Sequence, residues 1–270
     1  MGGRGRLDRR RDRLASLTMA SVRVPSRITY LGHATTLLEV DGVRVLTDPL
    51  LRSRVAHLRR RGEPPPPRLY ESPDLVLISH GHADHLDPAS LRLVGRDTTV
   101  LVPRGLARAL RRRGFGDVRE LGVEEGIEVG PVTITALPAI HDGRRFPIGR
   151  RVSALGYLIE GGARTYFAGD TDLFEGMGEI GSGLDLALLP VAGWGPRVGA
   201  GHLDPDRASR AAAVLQPRVA VPIHWGTLAV GFRARAGDDR PAREFEELAR
   251  VRAPGVDVRV LKPGRSTSIR

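Results

Sequence analysis

The stretch His80-Gly81-His82-Ala83-Asp84-His85 places three imidazoles and a carboxylate within six residues. Burying that many titratable groups without cations or partners costs on the order of several kcal/mol each, so their chemistry points to metal ligation. In extended chain His80 and His82 face the same way, while a following turn presents Asp84 and His85 to a second position, so one short segment can serve two ions. Three more candidates, His141, Asp170 and His224, stand just past apolar runs, where strand ends converge on a common edge. With no cysteine in the chain, any metal is held by nitrogen and oxygen, a donor set that suits zinc, manganese or iron. Two divalent ions ~3.5–4 Å apart can share a water and lower its pKa toward ~7. The resulting hydroxide attacks while the second ion polarises a carbonyl or phosphoryl oxygen.

Positioning these residues requires strands that end together. Residues 27–47 read as three successive strands, the last two (36–40 and 43–47) flanking Asp41-Gly42, a pair suited to a two-residue type I′ turn. An apolar strand over 74–79 runs into the histidine cluster, and Asp87-Pro88 then supplies an N-cap and a proline for a helix start. A strand over 98–102 leads to a second helix, about 105–113, stopped by Gly114. The second half repeats the theme with strands near 132–137, 153–160, 164–168, 185–189 and 218–223. A helix from Asp204-Pro205 to about Leu215 separates the last two. Hairpins followed by alternating strands and helices predict two mixed sheets packed together with helices outside. Residues 51–70, rich in arginine and proline, read as a loop or flap.

The cluster and its downstream partners resemble the metallo-β-lactamase superfamily, over about residues 28–263. Further stretches are similar to one branch, which includes N-acylphosphatidylethanolamine-hydrolysing phospholipase D and ascorbate-6-phosphate lactonase. They are Tyr30-Leu31-Gly32-His33-Ala34-Thr35, Leu46-Thr47-Asp48-Pro49, His202-Leu203-Asp204-Pro205 and Ile223-His224-Trp225-Gly226-Thr227. The resemblance implies an αββα sandwich of two mixed sheets with a dinuclear site along one edge. It also implies His80, His82 and His141 on one metal, Asp84, His85 and His224 on the other, and Asp170 between them. Asp48 then orients ligands from behind, and His33 is read as similar support. His202 is either a structural residue before a helix start or a group that contacts substrate or protonates a leaving group.

Within the expected flap, Arg59, Arg60 and Arg61 are candidates for an anionic substrate, since guanidinium forks match phosphate, and Trp194 for a pocket wall. His57 reads as solvated. The expected activity is hydrolysis of an ester, lactone or phosphodiester bond in a small or medium anionic molecule. Two readings compete with it: a nuclease or RNA-processing metallo-hydrolase, suggested by the net charge of +11, and a non-catalytic binding module stabilised by metal. Against a nuclease, Arg4, Arg6, Arg9, Arg10, Arg11 and Arg13 concentrate part of that charge in residues 1–22, a basic tail expected to be disordered. No added nucleic-acid-binding domain is recognisable either. Against the module, a purely structural site is usually closed and mononuclear. Residues 23–270 read as one domain. The chain has neither a secretory apolar stretch nor a run of 18 apolar residues, so a cytoplasmic location is expected; peripheral membrane contact and oligomeric state stay open.

Overall fold

The computed structural model describes residues 26–143, 152–193, 198–230 and 238–269. The expected basic tail and Trp194 lie outside the described residues. Strands β1 (Arg27–Gly32), β2 (Thr35–Val40) and β3 (Val43–Thr47) open the fold as an antiparallel meander. At its second turn Asp41 and Gly42 both take positive φ, 48° and 85°, as a type I′ turn requires. Two short strands follow, β4 (Arg54–Val55) and β5 (Leu58–Arg60). Then come β6 (Leu75–Leu77), helix α1 (Pro88–Val94), β7 (Thr99–Pro103), α2 (Ala107–Arg111) and β8 (Val118–Leu121). The second half runs β9 (Gly126–Val129), β10 (Val132–Asp142), β11 (Ser153–Glu160), β12 (Arg164–Phe167) and α3 (Met177–Ile180). It continues with β13 (Leu186–Pro190), α4 (Pro205–Leu215), β14 (Val219–Ile223), β15 (Leu228–Val230), α5 (Arg240–Arg252), β16 (Asp257–Val258) and β17 (Arg265–Ser268).

Two seven-stranded mixed sheets result, ordered β17-β1-β2-β3-β6-β7-β8 and β16-β14-β13-β12-β11-β10-β9. Each is antiparallel where hairpins build it and parallel where helices return the chain, at β3-β6-β7-β8 and β12-β13-β14-β16. The alternation of side chains divides the apolar runs between two cores. Leu75, Leu77 and Leu101 face the inter-sheet core with Ile134, Tyr157 and Phe167, while Val76, Ile78, Val100 and Val102 face α1 and α2 through Leu91 and Leu110. Helices α4 and α5 cover the second sheet, packing on β13 and β14. This is the αββα arrangement expected from the sequence, with few helices. Among the described residues no helix is long and apolar enough to cross a membrane.

The segment read as a loop or flap differs from that reading. Its β4 and β5 form a hairpin that β15 extends to a small three-stranded sheet, closed on Leu50, Val55, Leu58 and Leu228. Proline and arginine hid the alternation of Val55 and Leu58, and the partner strand lies far away in sequence. Strand β10 also runs further than expected, to Asp142, with its register against β11 shifting between Pro138 and Asp142. His141 therefore sits inside a bulged strand end, where an irregularity re-aims a side chain.

Helix α1 starts where Asp87 accepts hydrogen bonds from the N–H groups of Ala89 and Ser90 and from the Ser90 hydroxyl. Burial alone would raise the Asp87 pKa, but the Arg52 and Ser90 donors bring it below the ordinary value. A depressed carboxyl contributes stability that is complete above the unfolded-state pKa of ~3.9 and is lost as pH falls through its folded value. Asp87→Ala should cost about 1–2 kcal/mol at pH 7, mostly as a lost N-cap because Arg52 is partly solvated. The gap in Tm between variant and parent should close in acid; a gap independent of pH would contradict the assignment.

Candidate metal centre

The strand ends carry the site. Asp48 follows β3, His80 follows β6 after Ile78 and Ser79, Asp170 follows β12 across Gly169, His224 follows β14, and His33 lies in the turn after β1. His33, Asp48 and His224 all take left-handed backbone, φ 57°, 32° and 63°, a conformation non-glycine residues adopt only where surroundings enforce it. Gly169 has φ 60°, and a Cβ there would lie 2.5 Å from Cβ of Ser79, so glycine lets the Asp170 turn press against the His80 strand.

Four imidazoles are oriented by one rule. Nδ1 of His85 lies 2.6 Å from the Asp48 carboxylate, Nδ1 of His141 lies 2.8 Å from the Gly201 carbonyl, and Nδ1 of His224 lies 2.6 Å from the Ala192 carbonyl. Each of those partners only accepts, so each Nδ1 carries the proton. Nδ1 of His80 is 3.0 Å from the Ser79 hydroxyl, which itself donates to Asp48 at 2.6 Å and so accepts from the ring. Every Nε2 is thereby left to face inward as a lone pair, the tautomer that a metal ligand needs. Nε2 of His85 and His224 are 3.1 Å apart, and Nε2 of His141 is 3.1 Å from Nδ1 of His82. The facing Nε2 lone pairs of His85 and His224 repel unless a cation lies between them.

The carboxylates complete two groups. His80, His82 and His141 offer ligand atoms within 4.8 Å of one another, and so do His33, Asp84, His85 and His224. Asp170 stands between them: Oδ2 is 3.2 Å from Nε2 of His85 and 3.9 Å from Nε2 of His80, and Oδ1 is 3.3 Å from Nε2 of His224. Nε2 of His80 and Oδ1 of Asp170 are buried with no hydrogen-bond partner, which is what residues shaped around a cation leave behind. The residues present fit a metal.

The electrostatics agree. Burial would push His85 down, yet Asp170, Asp48 and Asp84 hold it well above the ordinary histidine value. Burial would raise Asp170, yet His224 and His85 hold it well below the ordinary carboxylate value. His33 is pushed down to about 3 by burial and by His224, so it stays neutral, its Nε2 3.0 Å from Oδ2 of Asp84.

Seven of the eight histidines meet here, and His57 lies at the lip of the same cleft. The cleft has a volume of about 540 Å³. It is lined by His82, Asp84, Asp170, His202 and His224 together with apolar Val55, Ala56, Leu58 and Ala83. His202 is held by the carbonyls of Gly199 and Ala200 through Nδ1, with Nε2 3.5 Å from Asp170. Burial works against its charged form, but the Asp170 carboxylate outweighs that and raises its pKa. The arginines expected at substrate fare differently. Arg60 is buried, donating to the carbonyls of Leu31 and Leu50, and Arg59 and Arg61 are half-buried on the small sheet and do not line the cleft. The hairpin that places them was not legible from sequence.

Sequence reasoning missed Ser79, which ties Asp48 to His80, and Thr227, whose hydroxyl accepts the His33 N–H at 2.6 Å. Ser79 adjoins His80 and Thr227 lies three residues past His224, and that proximity was the available signal.

Comparison with known proteins agrees with this geometry. Residues 43–225 match the model of the β-lactamase superfamily domain. A UPF0173 metal-dependent hydrolase of Methanopyrus kandleri is 35% identical over 248 residues, covering 89% of this chain and 98% of that protein. The N-acyl-phosphatidylethanolamine-hydrolyzing phospholipase D 1 of Caenorhabditis elegans is 33% identical over 229 residues, 75% of this chain and 64% of the relative. Among solved structures, Igni18, a metallo hydrolase of Ignicoccus hospitalis, superposes with a TM-score of 0.69 at 26% identity, covering 90% of this chain and 98% of that one. With this fold, this cluster and these relatives, the chain belongs to the metallo-β-lactamase superfamily and its metal-dependent hydrolases.

Proposed function

We propose that the chain hydrolyses an ester, lactone or phosphodiester bond using two divalent ions. His80, His82 and His141 hold one, Asp84, His85 and His224 hold the other, and Asp170 lies between. The observation that carries this reading is the set of four imidazoles whose Nδ1 atoms are spent on fixed acceptors, so that their Nε2 atoms converge with Asp84 and Asp170. Asp48, which accepts from Ser79 N–H, Ser79 O–H and His85 Nδ1, adds a third buried carboxyl group to Asp84 and Asp170, a setting that divalent cations offset. When bound, such a pair lowers the pKa of a shared water toward ~7 and polarises the oxygen of the scissile group.

The protein's own groups supply the rest. Asp48 and Ser79 fix the rings of His85 and His80, and His33 fixes Asp84. His202 presents a partly exposed edge to the cleft, where it can hydrogen-bond substrate or give a proton to the leaving oxygen. Val55 and Leu58, which line the same cleft, favour a substrate whose non-reacting part is apolar. The nitrogen and oxygen donors suit zinc, manganese or iron.

Removing divalent metal with a chelator should abolish hydrolysis, and added zinc or manganese should restore it. Asp84→Ala or His82→Ala should lower kcat by at least about 100-fold with far-UV circular dichroism unchanged; full turnover by either purified variant contradicts the proposal. On p-nitrophenyl esters from acetate to octanoate, Leu58→Ala should reduce the gain in kcat/KM with chain length by roughly tenfold, the scale of a methylene or two in an apolar pocket. An unaltered chain-length profile would remove the apolar lining from substrate recognition.

A further inference from the structure

Arg60 is a buried cation held only by carbonyls. It is 8% exposed, its Nη1 donates to the Leu31 carbonyl at 3.2 Å, its Nη2 donates to the Leu50 carbonyl, and its Nε is buried without a partner. No carboxylate pairs with it among the described residues. Burying a guanidinium this way is unfavourable unless its fork fixes something that matters.

The two carbonyls belong to the two turns that orient the second group of ligands. Leu31 precedes His33 by two residues, and Leu50 follows Asp48 by two. His33 contacts Asp84 through Nε2, and its carbonyl accepts the backbone N–H of His224 at 2.8 Å. Asp48 accepts from Nδ1 of His85. All three residues of the group are thus reached through the loops that one guanidinium ties together. Gly32, between them at φ 105°, leaves room for it: a Cβ there would lie 2.9 Å from Nη1. Directly after this strand comes Arg61, whose backbone N–H binds the Thr227 carbonyl at 2.7 Å, and the Thr227 hydroxyl receives the His33 N–H. The first group is supported elsewhere, His141 by the Gly201 carbonyl and His80 by Ser79 at the end of β6. Its one thread to Arg60 runs through the Ser79–Asp48 bond.

We infer that Arg60 is a positioning residue for the Asp84–His85–His224 group, setting its affinity for metal by clamping the His33 and Asp48 turns in register. The inference rests on the two-centre reading above. Lysine keeps the charge but has no planar fork to span both carbonyls, so the geometry and not the charge alone carries the effect.

The test titrates metal-free protein with zinc(II) against a competing chelator, in backgrounds that isolate each group. With His141→Ala, which weakens the first group, adding Arg60→Met should lower zinc affinity by about 10–100-fold, the scale of losing an orienting partner, and Arg60→Lys should fail to restore it. With His224→Ala, which weakens the second group, the same change should cost less than about threefold. Equal losses in both backgrounds, or a Tm of the metal-free Arg60→Lys protein that falls in proportion to its affinity, would make Arg60 a general staple and overturn the inference. No loss in either would overturn it as well. If the parent takes up only one ion and both backgrounds bind none, the two-centre reading itself has failed, and that result is distinct from the other two.

Discussion

The structure turns on a proton placed where metal chemistry requires it. An imidazole has two nitrogens, and a partner that only accepts decides which of them carries hydrogen. Here a carboxylate, a hydroxyl already donating elsewhere and two backbone carbonyls make that decision for four rings. Ligand atoms are pre-oriented toward a common point before any ion arrives. The carboxylates of Asp170, Asp48 and Asp84 hold His85 well above the ordinary histidine value, so the same groups that favour a metal favour positive charge at this point.

The fold serves that arrangement by bringing seven segments to one edge. Strand β6, buried on both faces between β3 and β7, carries His80 at its end, so His80 is held by the same burial that stabilises the domain core. The price appears at the strand ends, where His33, Asp48 and His224 take left-handed backbone. Such strain persists because neighbouring contacts enforce it, among them the bonds from His33 to Thr227 and to His224.

Much of this was legible in the residues. The six-residue cluster, the Asp41-Gly42 turn, the Asp87-Pro88 and Asp204-Pro205 helix starts and the converging positions of His141, Asp170 and His224 all announce themselves through local chemistry or period. What stayed hidden depends on distant pairing. The hairpin β4–β5 exists because β15, more than 160 residues later, completes its sheet. In that arrangement Arg60 meets the Leu31 and Leu50 carbonyls, while Val55 and Leu58 line the cleft. Helix α5 went unread although its buried residues, Ala242, Phe245 and Ala249, recur at the helical spacing i, i+3 and i+7 between charged residues.

The central claim is that His80, His85, His141 and His224 are Nδ1-protonated with Nε2 free for a cation. Imidazole nitrogen NMR on protein labelled with nitrogen-15 histidine reads this directly, before and after stoichiometric zinc. The account predicts that all four keep the Nδ1 proton throughout and that their Nε2 resonances move on metal addition. Rings that bear hydrogen on Nε2 in the loaded protein, or Nε2 resonances indifferent to metal, would contradict it.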